Sequence, residues 1–105
     1  MKYKSPLIEP LEGWMLTICF DIDGTLFDFD SQPKKKMIDL AKTLIRNSRD
    51  NRVFFWSGGG IEYCQMRLRQ AGLPEDRAIA KGSFKPDIAF DDEDVLLGYN
   101  NLKVS

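Results

Sequence analysis

The stretch that most constrains the fold is an apolar run at 14–20 that ends abruptly in acidic residues and a glycine. From Trp14 to Phe20 the chain carries no charge, no glycine and no proline. Such a run is typical of a strand buried on both faces of a parallel sheet. We therefore predict a central strand from about Trp14 to Asp21, with Asp21 at its carboxyl end. In open α/β sheets, ligands and reacting groups collect at that edge.

Two carboxylates, Asp21 and Asp23, flank the turn that follows this strand, and Gly24 gives the turn backbone freedom close to a ligand. The plainer interpretation is a strand followed by an ordinary polar turn. Two acids at the end of a buried strand are unfavourable, however, unless something cationic lies between them. The pattern therefore favours a site that holds a cation.

Length and charge limit the classes of protein to which the chain can belong. With 105 residues it is expected to form one domain (1–105), of which 1–13 looks like an extended N-terminal arm. Its 15 basic and 16 acidic residues give a net charge of -1, so no overall field attracts nucleic acid or an anionic membrane. An anionic substrate would have to be bound by a local site.

Cysteine content and hydropathy indicate the compartment. Cys19 and Cys64 have neither the number nor the spacing of a disulfide framework or a zinc site, and they read as small buried hydrophobes. No apolar leader stands at Met1, and no apolar run approaches the roughly 18 residues of a membrane span. We expect a soluble cytoplasmic protein without a membrane partner.

Strand and helix patterns alternate along the rest of the chain. This alternation predicts an α/β fold, a minimal three-layer Rossmann-like parallel sheet with right-handed crossovers. Residues 27–33 alternate aromatic and acidic side chains, and they form either a flap over the strand end or an ordinary loop. The predicted elements are a helix at 34–49 with an apolar stripe of Met37, Leu40, Ala41, Leu44 and Ile45, a strand at 52–57, a helix at 61–71, a short strand at 77–81, a strand at 87–90, a short helix or turn at 95–99 and an edge strand at 102–104.

Polar side chains end three of the predicted strands. They are Asp21 and Asp23, Ser57, and the pair Asp91 and Asp92. Because the carboxyl ends of parallel strands meet at one edge, these groups should converge there. Converging carboxylates repel unless a hard cation binds them, and oxygen ligands without histidine point to Mg²⁺. A nearby lysine would complete a phosphate site.

The chain resembles the haloacid dehalogenase (HAD) superfamily of phosphohydrolases in three of that family's four motifs. Residues 21–26, Asp-Ile-Asp-Gly-Thr-Leu, match the first motif after an apolar strand. Ser57, which ends the next strand, matches the second motif, and the acidic pair Asp91 and Asp92 matches the fourth. The resemblance covers about residues 14–94, and it implies a HAD-like fold and phosphatase activity.

The resemblance also implies roles for these residues. Asp21 would attack phosphorus and form an aspartyl-phosphate, while Asp23 would serve as general acid and then as general base. Mg²⁺ would be held by Asp21, the backbone carbonyl of Asp23 and a carboxylate of the fourth motif, for which Asp92 is favoured and Asp91 lies beside it. Ser57 would hold an oxygen of the phosphate. The implied reaction is Mg²⁺-dependent hydrolysis of a phosphate monoester.

The lysine of the third motif has two candidates. Lys85, followed by Pro86, has the family's sequence pattern. If the chain from Lys85 to Asp91 is extended, however, the two lie about 20 Å apart at roughly 3.3 Å per residue, beyond the reach of a lysine side chain. Geometry therefore favours Lys81 slightly, and both lysines remain candidates.

Larger members of the family carry a cap domain over the site. The two intervals where a cap would be inserted are here 27–33 and 82–86, too short for a domain. The site is therefore expected to be open, roofed by the flap or by a second subunit in a homo-oligomer. Its substrate would be a phosphorylated molecule, small or polymer-borne.

Two other functions fit part of the pattern. A receiver-like phosphoacceptor also combines acids, a hydroxyl and a lysine, but its phosphorylated aspartate follows the third strand rather than the first. A catalytically silent HAD-like binding module fits the minimal chain and the uncertain lysine. Turnover of an aryl phosphate with Mg²⁺ would distinguish the phosphatase from both.

Overall fold

The computed structural model describes residues 15–105, and its strands and helices alternate along the chain. The elements are β1 (Leu16–Asp21), α1 (Lys35–Arg46), β2 (Asn51–Trp56), α2 (Ile61–Ala71), a 3₁₀ turn (Glu75–Arg77), β3 (Ile88–Asp91) and β4 (Asn100–Lys103). The strands form one sheet in the order β2-β1-β3-β4, and every neighbouring pair is parallel. The arm expected at 1–13 lies outside the described residues, as does Trp14.

The register of the sheet brings the polar strand ends together. Asp21, the last residue of β1, pairs with Trp56, so that Ser57 follows directly on the neighbouring strand. On the other side of β1, Phe20 pairs with Phe90, and Asp91 is the next residue. The predicted convergence of these three strand ends at one edge of the sheet is therefore present.

Both helices pack on the same face of the sheet. Side chains alternate along a strand, so one face of β1 and β2 carries Ile18, Phe20, Val53 and Phe55. These four belong to one buried cluster that also contains Ile38 and Ala41 of α1 and Cys64 and Leu68 of α2.

The second face of the sheet is covered differently. The ring of Phe84 lies 5.7 Å from that of Phe54 and 6.1 Å from that of Trp56, between ring centroids, and meets both edge-on. Phe84 belongs to the connection between β2 and β3, which carries no helix after the 3₁₀ turn. Across residues 15–105 this connection takes the place of the expected third layer.

The prediction of a strand at 77–81 is wrong, because only one isolated β-bridge forms there. Ala78 pairs with Phe55, and the amide of Ile79 donates to the carbonyl of Phe55 at 2.9 Å. A turn closed by the amide of Ser83 and the carbonyl of Ala80 follows directly and redirects the chain. The turn leaves too few residues alongside β2 for a strand.

The predicted helix boundaries and stripe also need small corrections. Helix α1 ends at Arg46 rather than 49, and its buried side chains are Ile38 and Ala41, whereas Leu40 is exposed. Residues 95–99 form no helix, and only 98 and 99 lie in a bend. The side chain of Asn101 holds this segment, since it accepts from the amides of residues 97 and 98. Neither helix of the described chain is long and apolar enough to cross a membrane.

Candidate active site

Three carboxylates meet at the carboxyl edge of the sheet. Asp21 ends β1, Asp91 ends β3, and Asp92 is the next residue. One oxygen from each lies within 4.8 Å of the other two. Asp21 and Asp91 are almost fully buried, at 5% and 4% exposure. Buried acids this close require a positive partner.

Lys81 supplies a positive charge to this cluster. Its Nζ donates to Oδ1 of Asp21 and to Oδ2 of Asp91, each at 3.0 Å. The bend after Ala80 brings the lysine across the edge of the sheet. Lys85 lies elsewhere, since its Nζ is 4.2 Å from the centre of the Tyr99 ring. The structure therefore brings Lys81, and not Lys85, to the carboxylates.

The pKa values of Asp21 and Lys81 are both raised, for different reasons. The pKa of Asp21 is raised to about 7, chiefly by burial and also by Asp91 and Asp92, while Lys81 opposes the shift. Burial opposes the charge on Lys81, but the bonds to Asp91 and Asp21 outweigh it and raise the pKa of Lys81. Asp21 is thus a carboxylate poorly compensated by one lysine, and a second cation would stabilise its charged form.

The two acids of the fourth motif have different surroundings. Oδ2 of Asp91 accepts from Lys81, and its Oδ1 accepts from the amide of Glu93 at 3.0 Å. Asp92 instead packs against the first turn, where a Cβ on Gly24 would lie 2.5 Å from its Cγ. Gly24 also has φ +85°, which favours glycine. The turn after β1 can approach Asp92 so closely because residue 24 has no side chain.

Ser57 lies at the same edge in a buried turn. Its Oγ accepts a hydrogen bond from the amide of Gly59 at 3.0 Å, and its carbonyl accepts from the amide of Gly60 at 3.1 Å. These bonds fix the serine, while the hydroxyl proton remains to donate to an oxygen of a ligand.

Asp23 is held by two residues that sequence reasoning missed. The hydroxyl of Tyr63 donates to Oδ1 of Asp23 at 2.7 Å, and Nη2 of Arg67 lies 3.7 Å from the same oxygen. Burial and the bond to Asp23 raise the pKa of Tyr63, so the phenol remains a donor at neutral pH. The sequence feature that could have indicated this pair is their separation by four residues in α2, which puts Tyr63 and Arg67 on one helix face.

The predicted flap at 27–33 is an ordered turn. Phe27 bridges to Asp23 on one side and to Pro33 on the other, and its side chain is buried. Oδ1 of Asp28 accepts from the amides of Asp30 and Gln32, at 2.9 Å each. The turn is therefore fixed beside the site, although it is too small to enclose one.

Comparisons with family models, with curated proteins and with solved structures give no match to the chain. The parallel sheet and its two helices are those of a small Rossmann-like α/β fold. Any assignment beyond this fold class therefore depends on the motifs and on the geometry of the site itself.

Proposed function

We propose that the protein is a small, capless phosphohydrolase of the HAD type that hydrolyses a phosphate monoester with Mg²⁺. The main support is the contact of Lys81 with both Asp21 and Asp91 at the carboxyl edge of the sheet. Three of the four HAD motifs are recognisable in the sequence, and Lys81 supplies the cation that the remaining motif requires.

The donor set suits a divalent cation of the Mg²⁺ type. When all three carboxylates are ionised, the one ammonium leaves two negative charges uncompensated in a largely buried cluster. Hard oxygen ligands are those that Mg²⁺ prefers. Asp21 and Asp92 would hold the ion, because both oxygens of Asp91 already accept hydrogen bonds. When bound, the ion would neutralise charge that develops on the phosphoryl oxygens.

In this proposal the residues of the chain divide the reaction between them. Asp21 attacks phosphorus as the P–O bond to the leaving group breaks, which gives an aspartyl-phosphate. Asp23 donates a proton to the departing oxygen, then takes one from the water that hydrolyses the aspartyl-phosphate and so regenerates Asp21. Lys81 and the hydroxyl of Ser57 stabilise the negative charge of the phosphoryl group throughout.

The surroundings of the site suit a substrate that need not be enclosed. The turn at 27–33 covers little, and the side chain of Phe29 at its tip is 79% exposed. The connection at 82–86 packs on the sheet face through Phe84, away from a capping position. We infer that the phosphate can belong to a small molecule or to a polymer, and that a second subunit could complete the roof.

The test is hydrolysis of p-nitrophenyl phosphate by the purified protein with Mg²⁺ and with EDTA. We expect turnover only with the metal, and its loss by at least about a hundredfold in the Asp21→Asn variant, because an amide cannot form the acyl-phosphate. Circular dichroism of the variant controls for folding. Turnover by Asp21→Asn at the wild-type rate would refute the assignment of Asp21 as the nucleophile.

The same assay separates the alternative functions. A silent binding module or a receiver-like phosphoacceptor gives no turnover above background. Binding of Mg²⁺ without turnover would fit either alternative and would contradict the phosphatase.

A further inference from the structure

The structure points to a role for two residues of α2 outside the four motifs. We propose that Tyr63 and Arg67 are positioning residues that hold the carboxylate of Asp23 for proton transfer to the leaving group. This inference rests on the proposed phosphohydrolase function, and it adds residues to that site.

Asp23 needs such support because it lies on a turn rather than on a strand. Its side chain is 43% exposed, whereas that of Asp21 is only 8% exposed. A half-exposed carboxylate on a turn has several accessible rotamers, and proton transfer requires it within hydrogen-bond reach of the leaving oxygen. Tyr63 restricts it through a 2.7 Å bond to Oδ1, which leaves Oδ2 to exchange the proton.

The direction of the hydrogen bonds follows from the chemistry of arginine. Nε of Arg67 lies 3.1 Å from the hydroxyl of Tyr63, and a guanidinium can only donate. The phenol therefore accepts from Arg67 and gives its own proton to Asp23. Donation by a cation to the phenol oxygen strengthens the bond that the phenol makes in turn.

Arg67 is itself fixed on several sides, which makes it a rigid support. Its side chain is only 11% exposed, and its guanidinium carbon lies 4.4 Å from the centre of the Phe27 ring. Nη1 donates to Gln70 at 3.0 Å and Nη2 to the hydroxyl of Ser31 at 3.1 Å. Arg67 thus ties the turn at 27–33 to α2, with Asp23 between them.

One glycine of the turn after β2 serves this arrangement. A Cβ on Gly59 would lie 2.9 Å from the Tyr63 ring, whereas one on Gly58 would meet no atom within 4 Å. The absence of a side chain at Gly59 therefore leaves the space that the ring of Tyr63 occupies when its hydroxyl bonds Asp23. Position 58 has no such requirement.

The experiment compares two substrates that differ in their need for an acid. The p-nitrophenolate ion leaves readily without protonation, whereas phenolate from phenyl phosphate needs a proton from Asp23. The parameter is kcat/KM with Mg²⁺, since it reports the steps up to departure of the leaving group. The variant is Tyr63→Phe, which keeps the ring and removes only the hydroxyl.

We expect Tyr63→Phe to lower kcat/KM for phenyl phosphate by at least about tenfold and for p-nitrophenyl phosphate by less than about threefold. Asp23→Asn should show the same split with larger losses. Tyr99→Phe, the same change at an exposed tyrosine, should leave kcat/KM unchanged for both substrates.

The outcomes distinguish this inference from the proposed function. Equal losses of kcat/KM on both substrates would mean that Tyr63 acts only on the structure. No loss on either substrate would mean that Asp23 needs no support. Each of these results overturns this inference and leaves the proposed function intact. A wild-type protein that hydrolyses neither substrate overturns the proposed function, and this inference with it.

The role of Arg67 is tested by two variants. Arg67→Lys, which keeps a donor, should lose less kcat/KM for phenyl phosphate than Arg67→Met, and the reverse order would contradict the role of Arg67.

Discussion

The ammonium of Lys81 lies 3.0 Å from Oδ1 of Asp21, although 60 residues separate them along the chain. The same ammonium bonds Asp91 at 3.0 Å, so that one lysine spans the ends of β1 and β3. This contact links the buried acid of the first motif to that of the fourth. It also provides the most direct test of the site.

Replacement of Lys81 should therefore be more damaging than replacement of Lys85. With Mg²⁺ at saturation, we expect Lys81→Ala to be at least about tenfold slower than Lys85→Ala on p-nitrophenyl phosphate, or about 1.4 kcal/mol of barrier. The reason is that Lys81 contacts the carboxylates, whereas Lys85 lies against Tyr99. Initial rates of both variants, with folding checked by circular dichroism, measure the difference. Equal rates, or the reverse order, would contradict it.

Binding of Mg²⁺ should depend on Asp92. The metal should raise the melting temperature of the wild-type protein by mass action, and Asp92→Ala should abolish the shift. Asp94→Ala is the matched control, because that side chain is 83% exposed and pairs with Lys103 outside the cluster. Thermal melts with and without Mg²⁺ measure the effect. A full shift in Asp92→Ala would contradict Asp92 as a ligand and move the assignment to Asp91, the other acid of the cluster.

The stability of the metal-free protein should decrease as the pH rises, because of Asp21. Folding raises the pKa of this acid from 3.8 to about 7, mainly through burial. Between these values the folded state binds a proton that the unfolded state has released, so the free energy of unfolding decreases as pH rises. Asp21→Asn cannot ionise, and it should become more stable relative to wild type from about pH 4.5 to about pH 7.5. Urea unfolding in EDTA at both pH values measures the relative stability; a pH-independent difference would rule out a raised pKa.

Both cysteines should be inert in the folded protein. Cys19 and Cys64 have no exposed surface, and burial raises the pKa of each thiol to about 12. Because the thiolate is the reactive form, Ellman's reagent should label neither thiol at about pH 8 in the native state and both in denaturant. Rapid labelling of the native protein would show that these sheet and helix positions open to solvent.

Much of the fold was predictable because its determinants are local. The uncharged run before Asp21 specifies β1, and the stop signals Gly72 and Pro74 bound α2 as predicted. The strand expected at 77–81 was wrong because a turn at Ala80 overrides its propensity for extended structure. In α1 the stripe was misplaced at Leu40, since residues 38 and 40 are both apolar and only packing on β2 decides which is buried.

The sequence by itself determined which polar residues end the strands, because a parallel sheet must bring Asp21, Ser57 and Asp91 to one edge. Only the tertiary structure decided which lysine reaches them, since the bend after Ala80 sets the path of the connection. It also decided that both helices cover one face and that the second face receives a loop. The contact between Tyr63 and Asp23 joins groups 40 residues apart. Such contacts depend on how separate elements pack, and no local pattern of residues encodes that packing.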